Sequence, residues 1–411
     1  MIALLIPLGL LLGIDLYFFQ IIKTLLADSS ERLRFTIYVL YWIVSILMIV
    51  SVFLSADRSF FPVHVRYYIF SLLLLLLVPK LLGLLFLIGE DIFRLGEKIS
   101  AVISGSDDTT IHGRRQFIAR AGIIAASLPF ATMLYGMVKT GFDIRVRKLK
   151  ASFEDLPSEF EGLKIVQISD LHSGSFTTES HFEEAVNRIN ALNPDLVFFT
   201  GDLVNNEAIE AERFVDTFSK LKAKLGVYSI LGNHDYGDYG PWPSKEEKAN
   251  NLKRLKQVHH DAGWNLLLND SSTINMGESK LAIVGVENWG AARHFPKYGD
   301  LDKAVEKVKD IPFKILLSHD PSHWDAKVQE HEQKFHLTLS GHTHGAQFGI
   351  EIPGFKWSPV QYVYKQWAGL YEGVDGQKLY VNRGLGFIGY MGRIGIPPEI
   401  TFLELNSSKN A

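Results

Sequence analysis

Four long apolar stretches before residue 140 set the first constraint on this chain. They run about 2–22, 35–54, 68–89 and 121–138, and the second carries no charge at all (FTIYVLYWIVSILMIVSVFL). A helix that crosses the hydrocarbon of a bilayer needs about 20 mainly apolar residues. Four such runs, with so little polar chain between them, are too apolar for the surface of a small soluble domain. Residues 1–140 are therefore expected to form a transmembrane region of about four helices. Asp15 and Lys80 interrupt the first and third stretches, each near the middle of its span. A lone charge at that depth is costly and normally finds a partner, so an Asp15–Lys80 pair is expected between the first and third helices.

Loop charges bear on orientation. Lys23, Arg32 and Arg34 follow the first span, and Arg94, Lys98, Arg114 and Arg115 precede the fourth; the second loop holds only Arg58 and Arg66. The positive-inside rule puts the first and third loops in the cytoplasm and the C-terminal part outside. Lys139, Arg145, Arg147, Lys148 and Lys150, after the fourth span, pull the other way. Arg114-Arg115-Gln116-Phe117-Ile118, ahead of a moderately apolar stretch, is similar to an internal twin-arginine signal. The balance favours the bacterial inner membrane with the C-terminal domain on its outer face. SGSDDTTIHG at 104–113 reads as a flexible connection, and 141–162 as a linker that opens with a short strand (DIRVRKLKA).

From 163 to 406 strand-like and helix-like segments alternate. Helices are expected over 179–192, 207–224, 245–262, 300–309 and 321–332, with later strands at 264–268, 280–286, 336–340, 378–383 and 399–405. This pattern suggests parallel βαβ units with mixed or antiparallel additions. Five apolar runs, KIVQIS, DLVFFT, VYSIL, KILLS and HLTLS, each lead into a polar motif: Asp170-Leu171-His172, Gly201-Asp202, Gly232-Asn233-His234-Asp235, Ser318-His319 and Gly341-His342-Thr343-His344. Five strands that each end in Asp, Asn or His would bring those side chains to one edge of a sheet, where open α/β sheets place ligands.

The chemistry of that set is oxygen and imidazole without sulfur, since the chain has no Cys. Such ligands suit Mn, Fe or Zn, and two adjacent divalent ions are a common means of cleaving phosphate esters. Residues two apart share a face of a strand, so Asp170 with His172, and His342 with His344, could each present paired ligands. Asp202 could bridge two cations, and Asn233 supplies a neutral oxygen. His234 could protonate a leaving oxygen, with Asp235 orienting its ring. A formal net charge of −3 gives no global basic field, so nucleic acid is not an expected partner.

The order D-x-H, G-D, G-N-H-D, H and G-H-x-H resembles the calcineurin-like metallophosphoesterase superfamily, over residues 163–406. GHTHGAQ at 341–347, LYVNRGLG at 379–386 and PEI at 398–400 resemble its membrane-anchored bacterial branch. Ala346 stands where that branch often has Gly. The resemblance implies an α/β fold, a four-layer αββα sandwich, with a dinuclear site. Asp170, His172 and His344 would hold one metal; Asn233, His319 and His342 would hold the other; Asp202 would bridge them and His234 would be the catalytic histidine. The implied activity is hydrolysis of a phosphoester or phosphoanhydride bond, with a lipid-linked phosphate or diphosphate as an attractive substrate for an anchored enzyme. A sensor or scaffold that binds a phosphorylated ligand without turnover is the alternative, and a complete ligand set argues against it.

Arg383, in a Gly-rich strand end, is a candidate for substrate phosphate, or else an ion-pair residue. His259 and His260, outside any motif, are expected on the surface, as are His294, His323, His331 and His336. Trp289, Phe355, Trp357 and Trp367 are expected to pack within loops, with an apolar rim facing lipid as the other reading.

Overall fold

The computed structural model describes residues 2–57, 60–104, 112–293 and 295–408. His294 and most of the 104–113 connection lie outside them. The chain divides into two compact units: residues 1–137 with 389–391, and residues 138–388 with 392–411.

Among its described residues the first unit holds four helices long and apolar enough to cross a membrane: α1 (Ile2–Leu25), α2 (Glu31–Ser55), α3 (Val63–Ser104) and α4 (His112–Val138). Two of them outrun their apolar stretches, since α3 carries on beyond 89 and α4 begins before 121, in amphipathic turns that charged residues tolerate. Ser30 caps α2, its Oγ accepting from the Leu33 N–H at 3.4 Å. The interior is formed by Phe18 and Ile21 of α1, Leu84 and Leu87 of α3, and Ala119 and Ala126 of α4. Lacking hydrophobic drive between spans, membrane helices associate through close backbone approach at small residues. Gly83 and Gly122 do this here: a Cβ on Gly122 would lie 3.3 Å from the Gly83 carbonyl oxygen.

Asp15 and Lys80 form the expected ion pair between α1 and α3. Its carboxylate also accepts from Ser45 Oγ at 2.9 Å and Tyr41 Oη at 3.0 Å, both on α2. The pair is thus the centre of a three-helix polar cluster, which satisfies the carboxylate where water is absent.

Among its described residues the second unit contains fourteen strands: β1 (Arg145–Phe153), β2 (Lys164–Ile168), β3 (Leu196–Phe199), β4 (Val227–Ser229), β5 (Asn265–Leu266), β6 (Asp270–Met276), β7 (Ser279–Gly285), β8 (Phe313–Leu317), β9 (Leu337–Ser340), β10 (Ile350–Ile352), β11 (Phe355–Trp357), β12 (Gly369–Glu372), β13 (Lys378–Val381) and β14 (Glu399–Ser407). Twelve of them build two six-stranded sheets, ordered β1-β14-β2-β3-β4-β5 and β12-β13-β9-β8-β7-β6, while β10 and β11 form a separate hairpin. Strands β2 to β5 are mutually parallel, as are β7, β8, β9 and β13.

Both faces of the central strands are buried. Ile165, Leu196 and Phe198 of the first sheet meet Leu281, Ile283, Ile315 and Leu337 of the second in one core. The alternate residues face outward: Ala282, Val284 and Leu316 pack beneath α9 (Leu301–Val305) and Trp324. On the other side Phe199 meets Trp264, ring centroids 5.3 Å apart, and α5 (Ser180–Ala191) buries Phe182, Ala185, Val186 and Ile189. This is the αββα sandwich, with residues two apart on a strand serving one core and their neighbours another.

Several local expectations change. The helix expected over 207–224 is only two turns, α6 (Ile209–Glu212) and α7 (Val215–Phe218), whereas α8 (Lys245–Asp261) is continuous. The segment 321–332 forms a short π-helical turn at Trp324–Val328. The short strand expected at the start of the 141–162 segment is present as the edge strand β1 over 145–153, and it pairs in parallel with β14 along its whole length rather than lying in a linker. Its charged side chains suit an edge strand, which tolerates such an outer face.

Candidate metal centre

The motif residues follow the carboxyl ends of β2, β3, β4, β8 and β9. They come from two sheets, three strands of the first and two of the second, rather than from one sheet edge. Nor does strand alternation present them. Asp170 (φ 52°), His172 (φ 44°), Asp202 (φ 59°), His342 (φ 73°) and His344 (φ 51°) all have left-handed backbone. That conformation is uncommon for residues with a Cβ, and clusters of it mark sites where surrounding structure holds strain for function. Glycines allow the loops to close: a Cβ on Gly341 would fall 2.0 Å from Ser169 Oγ, and one on Gly232 2.2 Å from Asp202 Oδ1.

Two groups of ligand-type atoms result, Asp170 with His172 and His344, and Asp202 with His319 and His342. In the first, His172 Nε2 lies 3.0 Å from His344 Nε2, and His344 Nε2 lies 3.2 Å from Asp170 Oδ1. In the second, His319 Nε2 is 3.2 Å from Asp202 Oδ2 and 3.3 Å from His342 Nδ1. Asn233 Oδ1 lies 2.8 Å from His342 Nδ1. Asp202 Oδ2 is also 3.6 Å from His172 Nε2, so one carboxylate reaches both groups. Ligands about 2.1 Å from a common ion stand about 3.0–3.4 Å apart in octahedral or tetrahedral arrangements, and the spacings here fit that requirement. So does the donor set, all oxygen and imidazole, and the burial: His172 is 0% and Asp202 1% exposed.

Hydrogen bonds choose which ring nitrogen faces inward. His319 Nδ1–H donates to the Thr200 carbonyl at 2.7 Å, leaving Nε2 to ligate. His342 is turned the other way, with Nε2 2.8 Å from Tyr364 Oη and Nδ1 toward Asn233. Partners of this kind fix ring orientation at metal sites. Burial pushes the His172 and His342 imidazoles down, favouring the neutral form that ligates. Burial would raise Asp202, but the charge and hydrogen bond of His319 hold it well below the usual carboxylate range. His319 goes the opposite way: burial lowers it, and the Asp202 and Asp170 carboxylates outweigh that, raising it to about 10.

His234 differs in being only half-buried. Its Nδ1–H donates to the Asn205 carbonyl at 2.8 Å, its backbone N–H donates to Asp202 Oδ1 at 2.9 Å, and its ring lies 5.0 Å from that of His172. Asp235 does not orient this ring. Its carboxylate instead accepts the backbone N–H groups of Asp202, Leu203, Val204 and Gly232 at 2.8–3.2 Å, tying the β3 and β4 loops together. Burial and the nearby Asp202 charge push Asp235 up to about 7.

Arg383 is likewise not open to a substrate. It is 2% exposed and bonds Glu399 and Glu351, each at 2.7 Å. The arginine nearer the centre is Arg393, fully buried, with Nη2 3.4 Å from His344 Nδ1 and Nη1 donating to the Arg383 carbonyl at 2.8 Å. No motif marked it, only its place in a Gly-rich run. Tyr364 and Asn205 also had no signal, because they are distant in sequence from the histidines they hold. Of the histidines expected on the surface, His260 is exposed and His331 half-buried, but His259, His323 and His336 are buried. His259 bonds Ser229 Oγ at 2.9 Å, and Trp289 stacks on His323. Trp367 is core, while Phe355 is exposed on the β10–β11 hairpin and Trp357 half-buried.

The family model for the transmembrane domain of probable calcineurin-like phosphoesterases matches residues 1–141, and that for calcineurin-like phosphoesterase matches residues 163–346. The metallophosphoesterase YkuE of Bacillus subtilis, described as uncharacterized, is 30% identical over 304 residues, 72% of this chain and 98% of that protein. The chain belongs to the calcineurin-like metallophosphoesterase family. Among other members, the UDP-2,3-diacylglucosamine pyrophosphatase LpxG of Chlamydia trachomatis is 29% identical, covering 64% of this chain and 89% of that one. The phosphodiesterase YaeI of Escherichia coli is 28% identical, covering 71% and 98%. As a metallophosphoesterase this chain is a metal-dependent hydrolase of phosphate bonds, and its four apolar helices make it a membrane protein.

Proposed function

We propose that this metallophosphoesterase holds two divalent ions and hydrolyses a phosphoester or diphosphate bond of a lipid-linked substrate. Asp170, His172 and His344 hold one ion, and Asn233, His319 and His342 the other. The observation that carries this reading is Asp202 Oδ2, within 3.6 Å of an imidazole from each group. Mn, Fe or Zn suits the donors. Two such ions, when bound, supply Lewis-acid stabilisation of phosphoryl oxygens and lower the pKa of a water. The chain's own part is to fix the ligands and move a proton. His234 has Nδ1–H committed to Asn205, so it exchanges its proton with the leaving oxygen at Nε2. Asp235 holds the two loops that carry Asp202 and Asn233 in register.

Support for a lipid-linked substrate comes from the anchoring helices and from the diacylglucosamine named as the substrate of LpxG. The loop charges favour the outer face of a bacterial inner membrane for this domain. The test is hydrolysis by the full chain in detergent, with Mn²⁺, of an aryl phosphate monoester, an aryl diester and a nucleoside-diphosphate lipid. Fastest cleavage of the diphosphate lipid, lost on Asn233→Ala, is expected. Two bound ions with no turnover on any of the three would overturn the reading in favour of a binding protein.

A further inference from the structure

A cavity of about 550 Å³ lies at one end of the helical bundle, among α1, α3, α4 and the loop after α1. Its wall includes Lys23, Arg94, Arg114 and Arg115 against only two acids, Asp28 and Glu90. Two of the bases are already engaged. Arg114 bonds Glu97 through both terminal nitrogens at 2.9 and 2.7 Å and reaches Glu90 at 3.2 Å, and Arg94 pairs with Asp91 at 2.7 Å. Lys23 and Arg115 have no carboxylate partner among the described residues. Asp28 is held by the Gln116 amide at 3.2 Å.

The position of this cavity limits what can enter. Lys23 is in the last turn of α1, whose apolar span ends at Leu25, and Arg114 and Arg115 are at the start of the span that begins at Gly113. The wall therefore sits where apolar helix gives way to polar chain, the depth of lipid head groups. Basic pockets between transmembrane helices at that level suit anionic head groups, and each Lys or Arg near such a surface contributes about 1 kcal/mol. The bundle supplies an apolar flank as well: Phe93, 56% exposed, stacks under the Arg114 guanidinium at 4.3 Å, and Phe117 is 68% exposed.

We propose that this cavity binds the phosphodiester head of an anionic phospholipid, held by Lys23 and Arg115. Arg114 is shared by Glu90 and Glu97, so the residual positive charge of Lys23 and Arg115 beside Asp28 is small, and a singly charged phosphodiester suits it better than a doubly charged phosphate monoester. The already paired Arg94 and Arg114 shape the wall, with Thr24 and Gln116 as neutral hydrogen-bonding groups. All of its lining residues belong to the first unit.

The test uses the full chain in nanodiscs of phosphatidylcholine containing phosphatidylglycerol, with retained lipid counted by native mass spectrometry. The wild type should keep phosphatidylglycerol selectively. Lys23→Gln with Arg115→Gln should weaken retention about thirtyfold, two bases at about 1 kcal/mol each. Lys98→Gln, which removes one positive charge on α3 outside the wall, should leave it unchanged. Equal retention by the double variant, or equal loss in Lys98→Gln, would overturn the proposal. Displacement of the lipid by millimolar inorganic phosphate would do so too, assigning the cavity to free phosphate. Hydrolysis of an aryl phosphate and the unfolding temperature, measured on each variant, would identify a change that merely unfolds the bundle.

Discussion

His172 and His344 face each other Nε2 to Nε2 at 3.0 Å, though they stand on loops after strands of different sheets. Two nitrogens so placed, each buried, are either sharing one proton or arranged around one cation. Asp170 Oδ1, 3.2 Å from His344, makes the third corner of the group. Removing one corner should therefore be felt as metal loss. His344→Ala is expected to hold about one divalent ion per chain by elemental analysis instead of two. Asp202→Ala should weaken both sites and lower turnover about 10³-fold, since metal stabilisation of phosphoryl charge is worth several kcal/mol.

Metal loading should release protons. His319 is raised to about 10 by Asp202 and Asp170, so at neutral pH it must give up a proton before Nε2 can ligate. The sign follows: affinity for Mn²⁺ should rise with pH up to about 10. In the metal-free chain the stability from the His319–Asp202 pair is complete below pH 6.5 and lost as pH rises through about 10. Calorimetry in two buffers of different ionisation enthalpy measures the released proton; equal heats in both would contradict this.

His234 and Asp235 are neighbours with separable tasks. His234→Ala should lower turnover by about 10²–10⁴-fold while leaving the unfolding temperature nearly unchanged. Asp235→Ala strips the acceptor from four buried N–H groups and should destabilise the domain by about 3 kcal/mol or more, with weaker metal binding as a consequence. Denaturant unfolding of both variants beside steady-state rates tells the two apart.

Within the bundle, Lys80→Met should destabilise by about 3–5 kcal/mol because it strands the Asp15 carboxylate. Asp15→Asn combined with Lys80→Met should recover most of that loss. A double-mutant cycle in detergent measures the coupling, and simple additivity would show that the pair is not coupled.

Mild acid should weaken the second unit through its buried histidines. Burial lowers His259 to about 3, and His181 and His323 to about 4. Their folded values are below the unfolded 6.5, so the stability is intact above pH 6.5 and is lost as pH falls toward 4. Each contributes a slope of about 1.4 kcal/mol per pH unit in that window. His259→Gln should flatten the acid limb by that amount in urea titrations at stepped pH.

Much was legible in the sequence because it is local. Apolar runs longer than a bilayer is thick have few other fates, and motifs at strand ends keep their spacing however the sheets are arranged. The Asp15–Lys80 pair could be read for the same reason: two charges in hydrocarbon have few alternatives to each other. What the sequence could not carry was the assignment of partners across the fold. Asp235 has the composition of a histidine-orienting carboxylate, and Arg383 that of a phosphate ligand. Only the packing of β3 against β4, and of β13 beside β14 and Glu351, decides that one binds backbone N–H groups and the other two glutamates. The left-handed backbone at five ligand positions, the Asn205 carbonyl behind His234 and the buried guanidinium of Arg393 are likewise tertiary. Their energies come from groups tens or hundreds of residues apart, and burial sets the cost of leaving any of them unpaired.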